Sequence, residues 1–585
     1  MGNWVSRISE QIRAAKGEFP VDFLLEGANL VNVLSGEIYP TQVAIFQDRV
    51  VGFGAYEARE RINVQDKFIC PGFIDGHLHL ESTLLTPWEF VRAVTPLGTS
   101  SVILDPHEIT NVLGVEGLKY LHEVSRNLPL SFYFTLPSCV PTTSLETSGA
   151  TLEAEELKKF MKKPWVVGLG EMMNFPGVIA ADPGILKKLE ITGNKCKDGH
   201  APLLRGKNLF AYLAAGIASD HECTILEEAR EKMRSGMYIM IREGSTSKNL
   251  TDLLPLITPK NNRRCMIVSD DKSPVDLVNS GHLNNVLKKI VAKGCDPVLA
   301  IQMVTINPAE YFGLRQMGAV APGYLADLVV LDDLRDFQVH LVFHRGRKVA
   351  QCGSLDTQVV EKLKIQKNKS LLLENVVRNS VHLKPLNKSH LEIPAQSTKK
   401  ARIIQIIPNQ IKTKCLIKKI KVEEGKAVSD PSRDILKLVV VERHKGTGRV
   451  GLGFVKGMGL KEGALASSVA HDSHNIIAVG VEDEDLLLAI SEIRRLQGGW
   501  IISNRGKVIE ALPLPIAGLL SEWSLKNTVK ALTALNQRAF ELGCTLAEPF
   551  SMLSFLALPV IPELKLTDLG LVDVSLFQHV SLFID

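Results

Sequence analysis

No two of the nine cysteines, at 70, 139, 196, 223, 265, 295, 352, 415 and 544, stand as Cys-x-x-Cys, and their number is odd. This excludes a cysteine zinc ribbon, argues against a disulfide framework, and implies a reducing compartment, which we read as the cytoplasm. No run approaches the roughly 18 uninterrupted apolar residues of a membrane span. The opening MGNWVSRISEQIRAAKGEFP also lacks the apolar core of a signal peptide. Charge of one sign is scarce: 68 Lys+Arg against 64 Asp+Glu leave +4 over 585 residues, no ground for a nucleic-acid or anionic-membrane partner. What is present, 45% hydrophobic and 23% charged, is the make-up of a folded globular chain large enough for a barrel with appendages.

Gly2 and Ser6 fit the short N-myristoylation pattern. Val5, Ile8, Ile12 and Ala15 also share one face, which predicts an amphipathic helix over residues 1–20. Residues 21–68 read as short strands with a tight turn at Gln47-Asp48, and the same texture returns over 316–353. The two segments predict one small β-sandwich interrupted by a larger unit. That unit, 69–315, alternates apolar runs with helix-like stretches. The runs FICPGFIDGHLHL, SSVILDP, LSFYFTLP, WVVGLGE, KCKDGH, AGIASDH, MYIMIREG and CMIVSDD make eight strand–helix units, KCKDGH being the least apolar. This predicts a (β/α)8 TIM-like barrel, with an open parallel α/β sheet as the alternative. Residues 354–400, rich in Lys, Asn and Ser, read as a helical connector and linker, and 401–585 as a second, α+β unit. Lys412, Lys414, Lys418, Lys419 and Lys421 alternate with apolar residues, as on a solvated strand face.

His77 and His79 stand two apart on the first predicted strand, so both rings leave the same face, at a solvent-accessible barrel mouth, and invite a metal. The other strand ends supply Asp105, Glu171, His200, His221 and Asp270. Each carboxylate alone could be a loop cap; together they suggest a site at the C-terminal face of a barrel. Asp105 and His107, in DPHE, are further site residues or a turn cap. Ser273, Gly281 and His282 follow the eighth strand and could line a pocket, His282 equally well a surface. His471, Asp472 and His474 form a compact cluster in SSVAHDSHNIIAVG, either a cap over the barrel mouth that completes the pocket, with a further metal ion conceivable there, or a turn that caps a strand.

The order His-x-His, carboxylate, His, His, Asp resembles the amidohydrolase superfamily of metal-dependent hydrolases, whose barrel interrupts a small sandwich. PGFIDGHLHLESTLLTP, DPHEITNVLGVEG, GLGEMMNFPGV, DGHAPLLRGKNLFAYLAAGIASDHE, SDDKSP and GFVKGMGLKEGALASSVAHDSHNIIAVG resemble the adenine deaminases within it, over roughly residues 22–585. The resemblance implies two divalent ions: His77 and His79 hold one, His200 and His221 the second, Glu171 bridges them, and Asp270 is both ligand and proton acceptor. The fourth strand ends in Glu171 with no lysine beside it, so no carbamylated bridge is needed. Oxygen and imidazole ligands suit Mn²⁺, Fe²⁺ or Zn²⁺, and the resemblance favours manganese or iron. It further implies adenine as substrate, hypoxanthine and ammonia as products in purine salvage, and a homo-oligomer. Glu171 is the candidate for protonating N1, and Asp270 for returning a proton to the leaving amine, with Asp105 as a further catalytic candidate.

Three other classes compete. A cytidine-type zinc deaminase needs Pro-Cys-x-x-Cys beside its His-x-Glu; His79-Leu80-Glu81 supplies only the latter. A cyclic-amide hydrolase would share the barrel but lacks its usual lysine bridge here. A non-catalytic scaffold would not be expected to keep a full ligand set.

Overall fold

Eight short parallel strands close a barrel in the middle of the chain. They are β1 (Phe73–His79), β2 (Thr99–Leu104), β3 (Ser131–Leu136), β4 (Val166–Met172), β5 (Cys196–Gly199), β6 (Ser219–Asp220), β7 (Tyr238–Arg242) and β8 (Cys265–Val268). These eight runs are the ones expected from the sequence. The computed structural model describes residues 2–370, 374–397, 399–408 and 410–584. The leucines at 371–373 of the connector, Thr398 of the linker and Asn409 at the start of the last unit lie outside the described residues.

Strands β1 to β5 pair in order, as do β6 to β8. Ala218 N–H donates to Lys197 O (3.0 Å) and joins β5 to β6. The two-residue strand Asp270–Asp271 pairs with Leu78 and His79 of β1 and closes the ring. β2, β4 and β8 are buried along their whole length, as expected of strands covered on both faces. KCKDGH is poor in apolar residues because β5 is only four residues long and half-buried at its start. It packs closely on both neighbours through glycine: a Cβ at Gly168 would lie 2.2 Å from Cys196 Sγ, and one at Gly199 2.2 Å from Ser219 O.

A register break in β1 sets up the site. Asp75 pairs with Val102 and Leu78 with Leu104, so β1 carries one residue more than β2 between them. Such a bulge changes the face on which the following side chains stand. Before it, Asp75 accepts from Ser269 N–H (3.1 Å) and Ser269 Oγ (2.5 Å) and lies 3.1 Å from Nε2 of His282, which precedes the helix Leu283–Ala292. After it, His77 and His79 face the other site residues. Beneath them Ile74, Ile103, Val167, Met240, Met266 and Val268 pack with Phe312 and Met317 and fill the floor.

The segments flanking the barrel share one nine-stranded sheet, in which Phe68–Pro71 lies between Val21–Asn32 and Leu328–Leu331. Gln47 adopts a positive φ at the expected turn. The helix Gly2–Ala15 forms as predicted, but not with its apolar face inward: Val5 and Ile12 are exposed. It docks through Ala14 and polar contacts, Glu10 to Gln47 (2.8 Å) and Arg7 to Asp48. Helix Thr357–Ser370 leads to a second nine-stranded sheet, covered by helices Asp483–Leu496 and Leu525–Glu541. Lys412, Lys414, Lys418, Lys419 and Lys421 are all exposed, and Lys414, Lys418 and Lys419 lie on Thr413–Lys419, an edge strand, where lysine discourages further pairing.

Candidate metal centre and the cleft above it

Glu171, the penultimate residue of β4, is the hub. Its Oε2 lies 2.6 Å from His200 Nδ1 and 3.0 Å from His221 Nε2, and its Oε1 lies 3.4 Å from His79 Nε2 and 3.3 Å from His107 Nδ1. Ligand atoms of His77, His79 and Glu171 fall within 4.8 Å of one another, and so do those of Glu171, His200 and His221. The two triads share one carboxylate. Asp270 Oδ1 stands 3.2 Å from His79 Nε2 and 3.6 Å from His77 Nε2. His77 and His79 are buried, not solvent-accessible as the sequence suggested, because the C-terminal unit lies over the barrel mouth.

The backbone fixes these rings. His79 Nδ1 lies 3.0 Å from Asp105 O and donates its proton there, which turns Nε2 toward Glu171 and Asp270. Asp105 Oδ2 in turn accepts the Glu171 N–H at 2.8 Å. That approach requires glycine at 170, where a Cβ would lie 2.1 Å from Asp105 Oδ2. Asp105 therefore positions Glu171, while His107 Nδ1 stands 3.6 Å from Asp105 Oδ1.

Charge is balanced by residues that sequence reasoning missed. Arg242, at the end of β7, contacts Glu222 and lies 3.1 Å from Asp270 Oδ2. Burial alone would raise the Asp270 carboxyl, but the His79 hydrogen bond and the Arg242 guanidinium hold it far below the usual carboxylate range. Burial likewise works against Glu171, and the neighbouring His221 and His200 outweigh it. Glu222 directly follows His221 and Arg242 closes MYIMIR; their position at strand ends was the available signal.

The C-terminal unit completes the barrel mouth. His471 Nδ1 is 2.6 Å from Glu108 Oε1, and His474 Nε2 contacts Glu108 Oε2. His474 Nδ1 accepts the Ala470 N–H at 3.1 Å, so its proton sits on Nε2 and is donated to Glu108. Glu108, in the DPHE segment, was not singled out in the sequence. Asp472 turns away to Thr142 Oγ1 (2.5 Å). A cleft lies between the two units, lined on the barrel side by Glu81, Glu108, Asp271 and Ser273 and on the other by His471, Trp500, Phe550 and Phe555. Ser273 also caps the helix Pro274–Ser280. His282 is buried, with Nδ1 2.7 Å from Thr99 Oγ1; it is neither a surface residue nor part of this cleft.

Residues 68–349 match the amidohydrolase family and residues 410–578 the adenine deaminase C-terminal domain. A protein of Dehalococcoides mccartyi named adenine deaminase is 48% identical over 98% of this chain and 99% of its own. The chain belongs to the adenine deaminase family. A second adenine deaminase, from Methanothrix thermoacetophila, is 48% identical over 99% of this chain and all of its own length. Among solved structures, a beta-aspartyl dipeptidase from Fervidobacterium islandicum AW-1 overlaps 57% of this chain and 98% of its own, at 16% identity and TM-score 0.43.

As an amidohydrolase, this member of the adenine deaminase family is a hydrolase of a divalent-metal class. The residues present fit such ions. His77 Nε2 is buried with no hydrogen-bond partner among the described residues, and the imidazole and carboxylate donors around Glu171 suit first-row divalent cations.

Proposed function

We propose that the chain hydrolyses adenine to hypoxanthine and ammonia, with His77, His79, Glu171, His200, His221 and Asp270 as the ligands of two divalent cations. The observation that carries the reading is the sharing of Glu171 by two imidazole sets. When bound, the cations would supply a water acidic enough to ionise near neutral pH. Mn²⁺ or Fe²⁺ is the expected occupant and Zn²⁺ the alternative.

The chain's own residues then handle protons. Attack at C6 requires a base for the incoming water, a proton at N1 and a proton for the departing amine. Asp270 suits the base: it is held ionised by Arg242, with Oδ1 turned to the imidazoles. The same carboxyl can hand that proton to N1 and then carry the hydroxyl proton of the C6 adduct to the departing amine. Glu171 is less suited to protonating N1 than the sequence suggested, since both its oxygens are engaged by imidazoles. We assign it the bridge, and Asp105 a supporting role through the Glu171 N–H.

Ammonia release from adenine by protein of measured metal content tests the reading; metal-loaded protein without turnover would overturn it. A role in purine salvage, a homo-oligomeric state and a cytoplasmic location belong to the same reading. All nine cysteines are free, which fits a reducing compartment. No helix among the described residues is long and apolar enough to cross a membrane.

A further inference from the structure

The cleft beside the metal centre has an aromatic wall. Trp500 and Phe550 stack with centroids 4.9 Å apart and planes at 4°, and His471 stacks on Phe555 at 4.6 Å and 23°. All four line it. The barrel side is polar, and most of its carboxylates already have partners: Glu108 takes His471 and His474, and Asp271 takes Ser82.

Glu81 differs. It opens the short turn Glu81–Thr83, two residues after His79, and its side chain is buried against the cleft. Oε1 accepts the Ile109 N–H at 3.0 Å. Oε2 is buried and has no hydrogen-bond partner among the described residues. A buried carboxylate oxygen left unpaired is costly, and an N–H donor on a ligand would relieve it.

On the reading that adenine is the substrate, its amino group and C6 must lie at the metal centre. The remaining N–H of the free base is the one on its five-membered ring. We propose that Glu81 is a specificity-determining residue: its Oε2 accepts that ring N–H, and the site thereby selects the free base over N9-substituted purines. A nucleoside carries a glycosidic carbon in place of that hydrogen. It would leave Oε2 unpaired, and sites that hydrogen-bond a substrate N–H discriminate strongly against analogues lacking it.

The test compares KM for adenine with the inhibition constant of 9-methyladenine, using metal-loaded enzyme. The wild type should favour adenine by at least about tenfold. In Glu81→Gln the Ile109 N–H keeps the amide oxygen, so the amide NH2 faces the cleft and opposes the ring N–H. Adenine KM should rise at least about tenfold, more than kcat falls, while 9-methyladenine binding stays within about threefold. Equal wild-type binding of the two purines would overturn the proposal, as would a variant that weakens both alike or neither. Should Glu81→Gln fail to fold, judged by melting and metal content, the wild-type pair and Glu81→Asp, expected to keep part of the preference for adenine, still decide. A wild type that never turns over adenine would sink the functional reading itself, a different outcome.

Discussion

His471 donates its Nδ1–H to Glu108 Oε1 at 2.6 Å, across 363 positions of sequence. With His474 on the other oxygen, the C-terminal unit grips a barrel carboxylate from two sides. Burial opposes charge on both partners. Yet His471 and His474 hold Glu108 well below its ordinary 4.5, and Glu108 lifts His471 from 6.5 to about 9.

The signs of these shifts predict a pH window. Glu108, depressed, adds stability that is present above pH 4.5 and lost as pH falls. His471, raised, adds stability that is complete below pH 6.5 and lost as pH rises through about 9. The melting temperature should therefore decline between pH 6.5 and 9, by the equivalent of up to about 3 kcal/mol. His471→Gln should flatten that limb; matching slopes in variant and wild type would count against the clamp.

Alanine at His471 or His474 should lower activity, because each change loosens the polar wall of the cleft. The two should differ in stability. His474 is 1% exposed and bonded at both nitrogens, so its removal should cost about 1–3 kcal/mol and lower the melting point visibly. His471, at the cleft surface, should cost less. Unchanged kinetics in both variants would confine this loop to packing.

Replacing His77 and His79 together with Ala should abolish turnover and reduce bound metal, measured by elemental analysis, while leaving the circular dichroism of a folded barrel. Full metal content with normal activity would remove these residues from the centre.

Glu171→Gln and Asp270→Asn should each reduce kcat by at least about two to four orders of magnitude. The mechanisms should separate in metal content: Glu171→Gln weakens the shared bridge and should lose metal, whereas Asp270→Asn should retain more of it. Near-normal turnover in either would refute its assigned role.

Much of this was legible in the chain itself. The eight barrel strands follow from the spacing of apolar runs, and even KCKDGH is placed correctly because its neighbours leave one position in the ring. The histidines and carboxylates at strand ends were readable because strand ends converge in a barrel. Glu81 was noticed only as the glutamate of a His-x-Glu motif, and Glu108, Glu222 and Arg242 were not singled out, since their importance comes from partners distant in sequence or from a burial that no local pattern encodes. The bulge that turns His77 and His79 toward Glu171 was hidden too, because a period-two reading of PGFIDGHLHL puts Asp75 on their face. The first helix shows the opposite failure: its apolar spacing is real, yet polar residues make its contacts.

The cleft's aromatic wall, from Trp500 to Phe555, is also a statement about time. During synthesis the barrel's last strand, ending at Val268, emerges long before Phe555. At 5–20 residues per second the interval is on the order of fifteen to sixty seconds. Through that interval the strand ends that carry the histidines have been made, but the aromatic wall of the cleft has not. A chain released before Phe555 would carry the candidate ligand residues without the aromatic wall of the cleft.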